Sequence, residues 1–242
     1  MTIPFPKGQL RLRLADTSAD VAACQALRHT CFFGTAGRDF DDLDAHCKHL
    51  MVLADGDVLV ATARLQFFEA GASLAHSYAA RHYDLAALTA QNAPMIEVGR
   101  FCIAPHAVDA DVLRMAWGGM TGLVDDLGVR FLFGCSSFQG TDPARFGRTF
   151  ACLHERHLGP AVLRPSATGP ETVSLAEICG QGREPLPPLL RTYLAMGGWV
   201  GEHATIDRHL NTMHVFTCVD VQNVPPARAK ALRALAQGIT LA

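Results

Sequence analysis

Polar and apolar residues alternate from Gln9 to Leu14, the two-residue period of a half-buried strand. The next segment opens on the cap-type residues Asp16, Thr17 and Ser18 and then repeats apolar positions at Val21, Cys24, Leu27 and Cys31. That spacing predicts an amphipathic helix. A polar loop, G-T-A-G-R-D, leads into D-D-L-D-A-H-C-K-H-L. In M-V-L-A-D-G-D-V-L-V-A-T-A-R-L two apolar runs flank A-D-G-D, which predicts a hairpin. Residues 69–94 mix loop with short helix. The stretch M-I-E-V-G-R-F-C-I-A, from Met95 to Ala104, reads as a strand. D-V-L-R-M-A-W-G-G-M-T-G-L-V-D-D-L-G then keeps helical spacing up to Gly128, a suitable cap, and V-R-F-L-F-G-C-S-S-F is a further strand. Residues 95–137 are therefore expected to run strand–helix–strand.

Beyond residue 150 the pattern loosens, punctuated by Pro160, Pro165, Pro170, Pro185, Pro187 and Pro188. P-L-P-P-L-L-R-T-Y-L-A-M-G-G predicts a short helix with proline near its start and glycine at its end. H-V-F-T-C-V-D-V predicts a strand, and P-P-A-R-A-K-A-L-R-A-L-A-Q a short basic amphipathic helix. No internal repeat or low-complexity tract interrupts the chain.

Composition narrows the class. Hydrophobic residues make up 49% and charged residues 18% of 242, enough to bury a core in one large domain. A formal net charge of −2 gives no electrostatic reason to expect nucleic acid. None of the eight cysteines forms a C-x-x-C pair, and they lie in apolar surroundings, as small buried hydrophobes do. M-T-I-P-F-P-K-G lacks the charged and apolar regions of a signal peptide, and no apolar run is long enough to span a membrane. A cytoplasmic protein is expected.

Within the strand at 95–104, an acid and a base, Glu97 and Arg100, stand three residues apart. Residues so spaced on a regular strand point to opposite faces. A bulge at Gly99 would reset the alternation and turn both towards one cleft. Charges in a strand of this kind are costly unless paired or functional. Asp41 and Asp44 lie near a turn, where capping is the ordinary role, and Arg28 and Arg64 carry little weight alone. His46, Cys47 and His49 are donors of the right type for zinc, but no second cluster has ligand spacing, and H-E-R-H at 154–157 is one residue short of the zinc-protease motif. No metal is expected. G-C-S-S-F lacks the second glycine of a nucleophile elbow, so hydroxyls lining a cleft are the better reading of Ser136 and Ser137.

Read together, Arg28-x-x-x-Phe32, Asp41-x-x-Asp44, Arg64-Leu65 and Glu97-x-x-Arg100 resemble the acyl-homoserine-lactone synthases. A second resemblance covers most of the chain. D-D-L-D-A-H-C-K-H-L-M-V, E-V-G-R-F-C-I, F-L-F-G-C-S-S-F-Q-G and P-L-L-R-T-Y-L-A-M-G-G-W-V are similar to segments of the bacterial ornithine-lipid N-acyltransferases. These enzymes join a 3-hydroxyacyl chain from acyl carrier protein (ACP) to the α-amine of ornithine, giving lyso-ornithine lipid. The resemblance implies an α/β (α+β) fold of the GNAT, autoinducer-synthase-like kind, with a central mixed twisted sheet, a splayed strand pair and flanking helices. It implies one domain over 1–242, with 1–150 as the core and 151–242 completing the acyl and acceptor pockets.

Two departures from pattern refine this. GNAT enzymes that use coenzyme A carry a glycine-rich turn between the central strand and its helix, whose N–H groups hold the pyrophosphate. Here that place reads P-H-A-V-D-A-D-V-L-R, with no glycine and two aspartates. An ACP donor, with one phosphate on its pantetheine arm, is expected instead, and no cofactor. The autoinducer synthases also have a tryptophan after the N-terminal Phe, and F-F-G-T-A-G has none. This favours lipid synthesis over lactone formation.

The implied roles follow. Glu97 accepts the proton of the amino-acid ammonium, directly or through water, while Arg100 binds the acceptor carboxylate or steadies Glu97. Arg28, Phe32, Asp41, Asp44 and Arg64 surround the substrate, and Ser136 or Ser137 protonates the leaving thiolate. Arg114, Arg130, Arg145 and Arg148 are candidates for docking the acidic ACP. The basic tail helix is a candidate for peripheral membrane contact. Glutamine or another amino acid as acceptor, a lactone-forming synthase, and a non-catalytic ACP- or lipid-binding protein stay open as alternatives.

Overall fold

A computed structural model describes residues 10–169, 171–178 and 180–237. The opening segment, Gln9, Pro170 and Cys179 lie outside these residues. In chain order the elements are β1 (Arg11–Leu14), α1 (Ser18–Phe33), β2 (Lys48–Ala54), β3 (Val58–Phe68), β4 (Tyr83–Asp84), α2 (Ala86–Thr89), β5 (Met95–Ile103) and α3 (Ala110–Asp126). Then come β6 (Phe131–Gln139), α4 (Gly147–His157), β7 (Ser166–Ala167), β8 (Thr172–Ser174), α5 (Pro188–Ala195), β9 (Trp199–Asp207), β10 (Thr212–Asp220) and α6 (Pro226–Ala236). Two compact units emerge: one of Met1–Gln66, Val98–Gly128 and Pro226–Ala242, the other of Phe67–Glu97 and Val129–Pro225.

The first unit holds strands in the order β1-β2-β3-β5, with β1–β2 and β2–β3 antiparallel. The β2–β3 connection is the expected hairpin. Gly56 (φ 73°) and Asp57 (φ 61°) both take the left-handed conformation that a tight hairpin turn needs. Helix α1 begins at a capping box: the Thr17 side chain accepts from the Asp20 N–H, and Asp20 reaches back to the Thr17 N–H. Thr17→Ala removes that acceptor and should lower the unfolding free energy by about 1 kcal/mol, read from a urea titration. Helix α3 buries Val112, Ala116, Trp117 and Met120. Its Gly119 lies so close to Leu12 of β1 that a Cβ there would meet the leucine side chain at 2.6 Å. Helix α6 docks on α3, where Arg233 holds the Asp125 carboxylate with two hydrogen bonds of 2.8 and 2.9 Å.

The second unit has the order β5-β6-β10-β9-β8, with β6, β10, β9 and β8 antiparallel in turn. Consecutive residues of β10 face opposite cores. Phe216 and Cys218 join Phe131, Phe133, Tyr83 and Trp199, whereas Met213 and Val215 join Phe138, Phe146, Phe150 and Leu190. Being covered on both faces is why these strands read as near-continuous apolar runs.

Five elements escape the sequence pattern. Strand β9, W-V-G-E-H-A-T-I-D, carries Gly201, Glu202 and His203 at its centre and shows no clean alternation. Helix α4 follows Pro143 and begins on Gly147, residues that punctuate a helical pattern, although Phe150 and Leu153 form its buried face. Strands β4 and β7, two residues each, pair as a separate two-stranded sheet, and β8 is three residues long.

Candidate active site

Strand β5 carries both Glu97 and Arg100, and its backbone departs from extended geometry within the strand. The left-handed residue is Arg100 itself (φ 52°), one position after the glycine expected to bulge. A side chain at positive φ is strained by about 1–3 kcal/mol and persists only where its surroundings enforce it.

In the second unit, Glu97 is buried, with 4% of its surface exposed. Its two carboxylate oxygens accept from the main-chain N–H groups of Tyr78 (2.8 Å) and Ala79 (2.7 Å), which open a 3₁₀ turn at Ala79–Arg81. Two charge-assisted bonds of this kind fix the carboxylate in position and rotation. Tyr193 of α5 is buried completely. Burial, followed by the charges of Cys218 and Glu97, pushes its phenol pKa up.

In the first unit, Arg28, Asp41, Asp44, Arg64 and Arg100 come together as one network. Arg28 (1% exposed) grips Asp44 with two bonds, Nη1 to Oδ1 at 3.0 Å and Nη2 to Oδ2 at 2.8 Å. Arg64 (3% exposed) meets Asp41 at 2.5 Å and Asp44 at 3.1 Å. Arg100 reaches Asp39 at 3.2 Å and Asp41 at 3.6 Å. Asp39 also faces Arg28 Nε at 2.9 Å, and its main-chain carbonyl accepts from Arg28 Nη2. Gln25 donates to Asp44 at 2.9 Å and accepts from Arg38 at 3.1 Å. Three guanidinium groups and three carboxylates thus compensate one another away from water.

Burial works against the Asp44 charge, but Arg28, with Gln25 and Arg64 behind it, outweighs burial and holds the carboxyl well below the usual range. Burial works against Arg64 as well, and Asp41 above all overcomes it, raising the guanidinium pKa. His49 of β2 is buried beside this network, and burial lowers its pKa. Among the described residues no group of His, Cys, Asp and Glu is arranged to hold a metal ion.

The remaining candidates are dispersed. Phe32 is half-buried on α1. Ser136 and Ser137 point to opposite faces of β6: Ser136 is buried and accepts from Thr217 at 3.0 Å, and Ser137 is exposed. Arg114 lies in the first unit, paired with Asp111 at 2.5 Å. Arg130, Arg145 and Arg148 lie in the second; Arg130 pairs with Asp220 at 3.3 Å and Arg145 with Glu184 at 3.0 Å.

Sequence reasoning missed Asp39 and Gln25. Gln25 had a visible signal: with Arg28 it falls on the apolar stripe of α1, where Val21 and Cys24 lie, and polar residues on a buried stripe require partners. Asp39 sits in a polar loop, where nothing distinguishes it from a solvated residue.

A model of the acetyltransferase (GNAT) domain matches residues 24–118. The L-ornithine N(alpha)-acyltransferase of Rhodobacter capsulatus is 32% identical over 232 residues, which cover 87% of this chain and 90% of that protein. The chain belongs to the L-ornithine N(alpha)-acyltransferase family. The family member from Brucella abortus is 27% identical over 250 residues, 90% of this chain and 86% of the relative. Among solved structures, FeeM, an N-acyl amino acid synthase from uncultured soil microbes, superposes with a TM-score of 0.54 at 12% identity, covering 97% of this chain and all of FeeM, a likeness of fold. The GNAT fold and the acyltransferase class implied by the four sequence segments are those of the family to which the chain belongs.

Proposed function

We propose that this acyltransferase moves a 3-hydroxyacyl chain from ACP to the α-amine of L-ornithine, the first step of an aminolipid synthesis that yields lyso-ornithine lipid. The observation that carries the reading is the identity to the Rhodobacter capsulatus relative, which runs through nine-tenths of both chains.

The start of α3 bears on the donor. There the Asp109 carboxylate accepts the Asp111 N–H at 2.6 Å, and Asp111 adds a second negative charge in the first turn. A helix N-terminus is an anion site only while its N–H groups point at the ligand. This one is capped by the chain's own carboxylate and would repel a pyrophosphate. A single-phosphate pantetheine arm on a carrier protein fits better than coenzyme A. The exposed pairs of Arg114 and Arg145 cost little to open, so an acidic carrier can compete for these two arginines; Arg130 is held in a half-buried pair with Asp220, and Arg148 lies exposed three residues after Arg145.

The chemistry is aminolysis of a thioester. Glu97, directly or through water, takes a proton from the α-ammonium and frees the nitrogen lone pair. The amine attacks the acyl carbonyl, the tetrahedral intermediate expels the pantetheine thiolate, and the remaining surplus nitrogen proton ends on sulfur. No acyl-enzyme is required. The ion network of the first unit acts as a frame, because Arg28, Asp44 and Arg64 hold one another. Among the described residues no helix is long and apolar enough to cross a membrane. The seven cysteines among them are free thiols, which suits a cytoplasmic enzyme. Arg228 and Lys230 on the exposed side of α6 are assigned to contact the bilayer that receives the product.

Purified protein given 3-hydroxyacyl-ACP or the matching acyl-CoA, with equimolar ornithine, glutamine, lysine and glycine, should yield N-acylornithine from the ACP donor alone. Mass spectrometry reads the product. Equal turnover of acyl-CoA would overturn the donor assignment, and acylglutamine as the main product would overturn the acceptor.

A further inference from the structure

The main-chain N–H groups of Tyr78 and Ala79, which both bond to the Glu97 carboxylate, belong to one turn, so displacement of the turn displaces the carboxylate. The Tyr78 side chain is anchored in a cluster that the reaction as described does not use. Its ring lies 5.0 Å from that of His82, tilted by 57°, and 6.2 Å from that of His214. His82 meets His214 edge-on at 4.7 Å. The Tyr78 hydroxyl donates to Asp207 Oδ2 at 3.2 Å.

His214 is itself oriented. It is 1% exposed, and the Tyr83 oxygen stands 3.1 Å from its carbonyl oxygen and 3.3 Å from its Nδ1. The Tyr83 hydroxyl thus holds the His214 residue at both its carbonyl and its ring. All these residues lie in the second unit, drawn from the 78–83 segment, the end of β9 and the first turn-proximal residues of β10.

We propose that Tyr78 is the positioning residue for Glu97, with the His82–His214 pair as the clamp on its ring. A main-chain donor is only as well placed as its residue. A misplacement of about 1 Å in a reacting group can cost about 100-fold in rate. The proposal rests on the reading of Glu97 as the base.

The test is a double-mutant cycle on the full chain, with N-acylornithine formation as the rate. Tyr78→Ala leaves both N–H groups in place and removes the clamped ring. It should lower kcat about 10- to 100-fold with KM for ornithine within about two-fold. Tyr78→Phe keeps the ring and should restore most of the rate. In a Glu97→Gln background Tyr78→Ala should cause no further loss, because both changes act through one group. A Tyr78→Ala loss of equal size in both backgrounds, or a loss confined to KM, overturns the positioning role while leaving Glu97 as the base. Wild-type kcat in Glu97→Gln alone overturns both. Circular dichroism checks folding, and should Tyr78→Ala fail to fold, His82→Ala at the half-buried side of the clamp takes its place in the cycle.

Discussion

Glu97→Gln should lower kcat for N-acylornithine formation by about 10²- to 10⁴-fold, the range lost when a positioned general base is removed. The substitution does two things at this site. It removes the negative charge that accepts the ammonium proton. It also turns one carboxylate oxygen into an amide NH₂ facing a main-chain N–H, at Tyr78 or Ala79. A buried donor left without its acceptor costs about 1–3 kcal/mol, so a fall in thermal midpoint should accompany the loss of rate. The two effects separate experimentally. The rate is measured at saturating ornithine on protein shown to be folded, and stability is measured apart from it. A variant with a lower midpoint and full kcat would make Glu97 a structural cap of the 3₁₀ turn and nothing more.

Asp44→Asn should destabilise the protein by about 3–5 kcal/mol, the cost of removing one partner from a buried ion pair. Asp44 receives both Nη groups of Arg28, one of Arg64 and the Gln25 amide, and the substitution leaves the network with an uncompensated positive charge. The matching control is Asp57→Asn, because Arg11 and Asp57 form a pair that is 59% and 71% exposed. That change should stay within about 0.5 kcal/mol. Urea unfolding of both variants makes the comparison, and equal effects would show that the network contributes no more than a surface pair. The same network sets an acid limit. The folded-state pKa of Asp44 is lowered, so its contribution is complete above the ordinary carboxylate value of about 3.9 and is lost as pH falls through the folded value. The His49 pKa is also lowered, so the unfolded chain takes up that proton first. Stability should therefore begin to decline as pH drops below about 6.5 and decline more steeply in the carboxylate range.

The amino-acid sequence by itself determined the elements whose signal is local. The cap-led α1, the D-G hairpin, each element of the strand–helix–strand β5, α3 and β6, and the proline-led α5 were legible from short runs of consecutive residues. Family membership was legible for a related reason, since the resemblance rests on four short segments of consecutive residues. The resemblance to the acyl-homoserine-lactone synthases also singled out Arg28, Asp41, Asp44, Arg64 and Arg100, residues that prove to share one network. Only the tertiary structure decided what these residues touch. Asp39 and Gln25 complete the ion network from a loop and from a helix stripe. Glu97 is anchored by a turn 18 and 19 residues before it, and Tyr78 by Asp207, 129 residues away. The left-handed residue of β5 is Arg100 rather than Gly99, because the backbone there answers to the surroundings of the arginine as well as to the freedom of glycine. The difference is one of range. Periodicity, caps and turn chemistry are properties of neighbouring residues, and a sequence displays them directly. The partner of a buried charge is selected by how distant segments pack, because a charge away from water must be compensated by whatever the fold brings within reach.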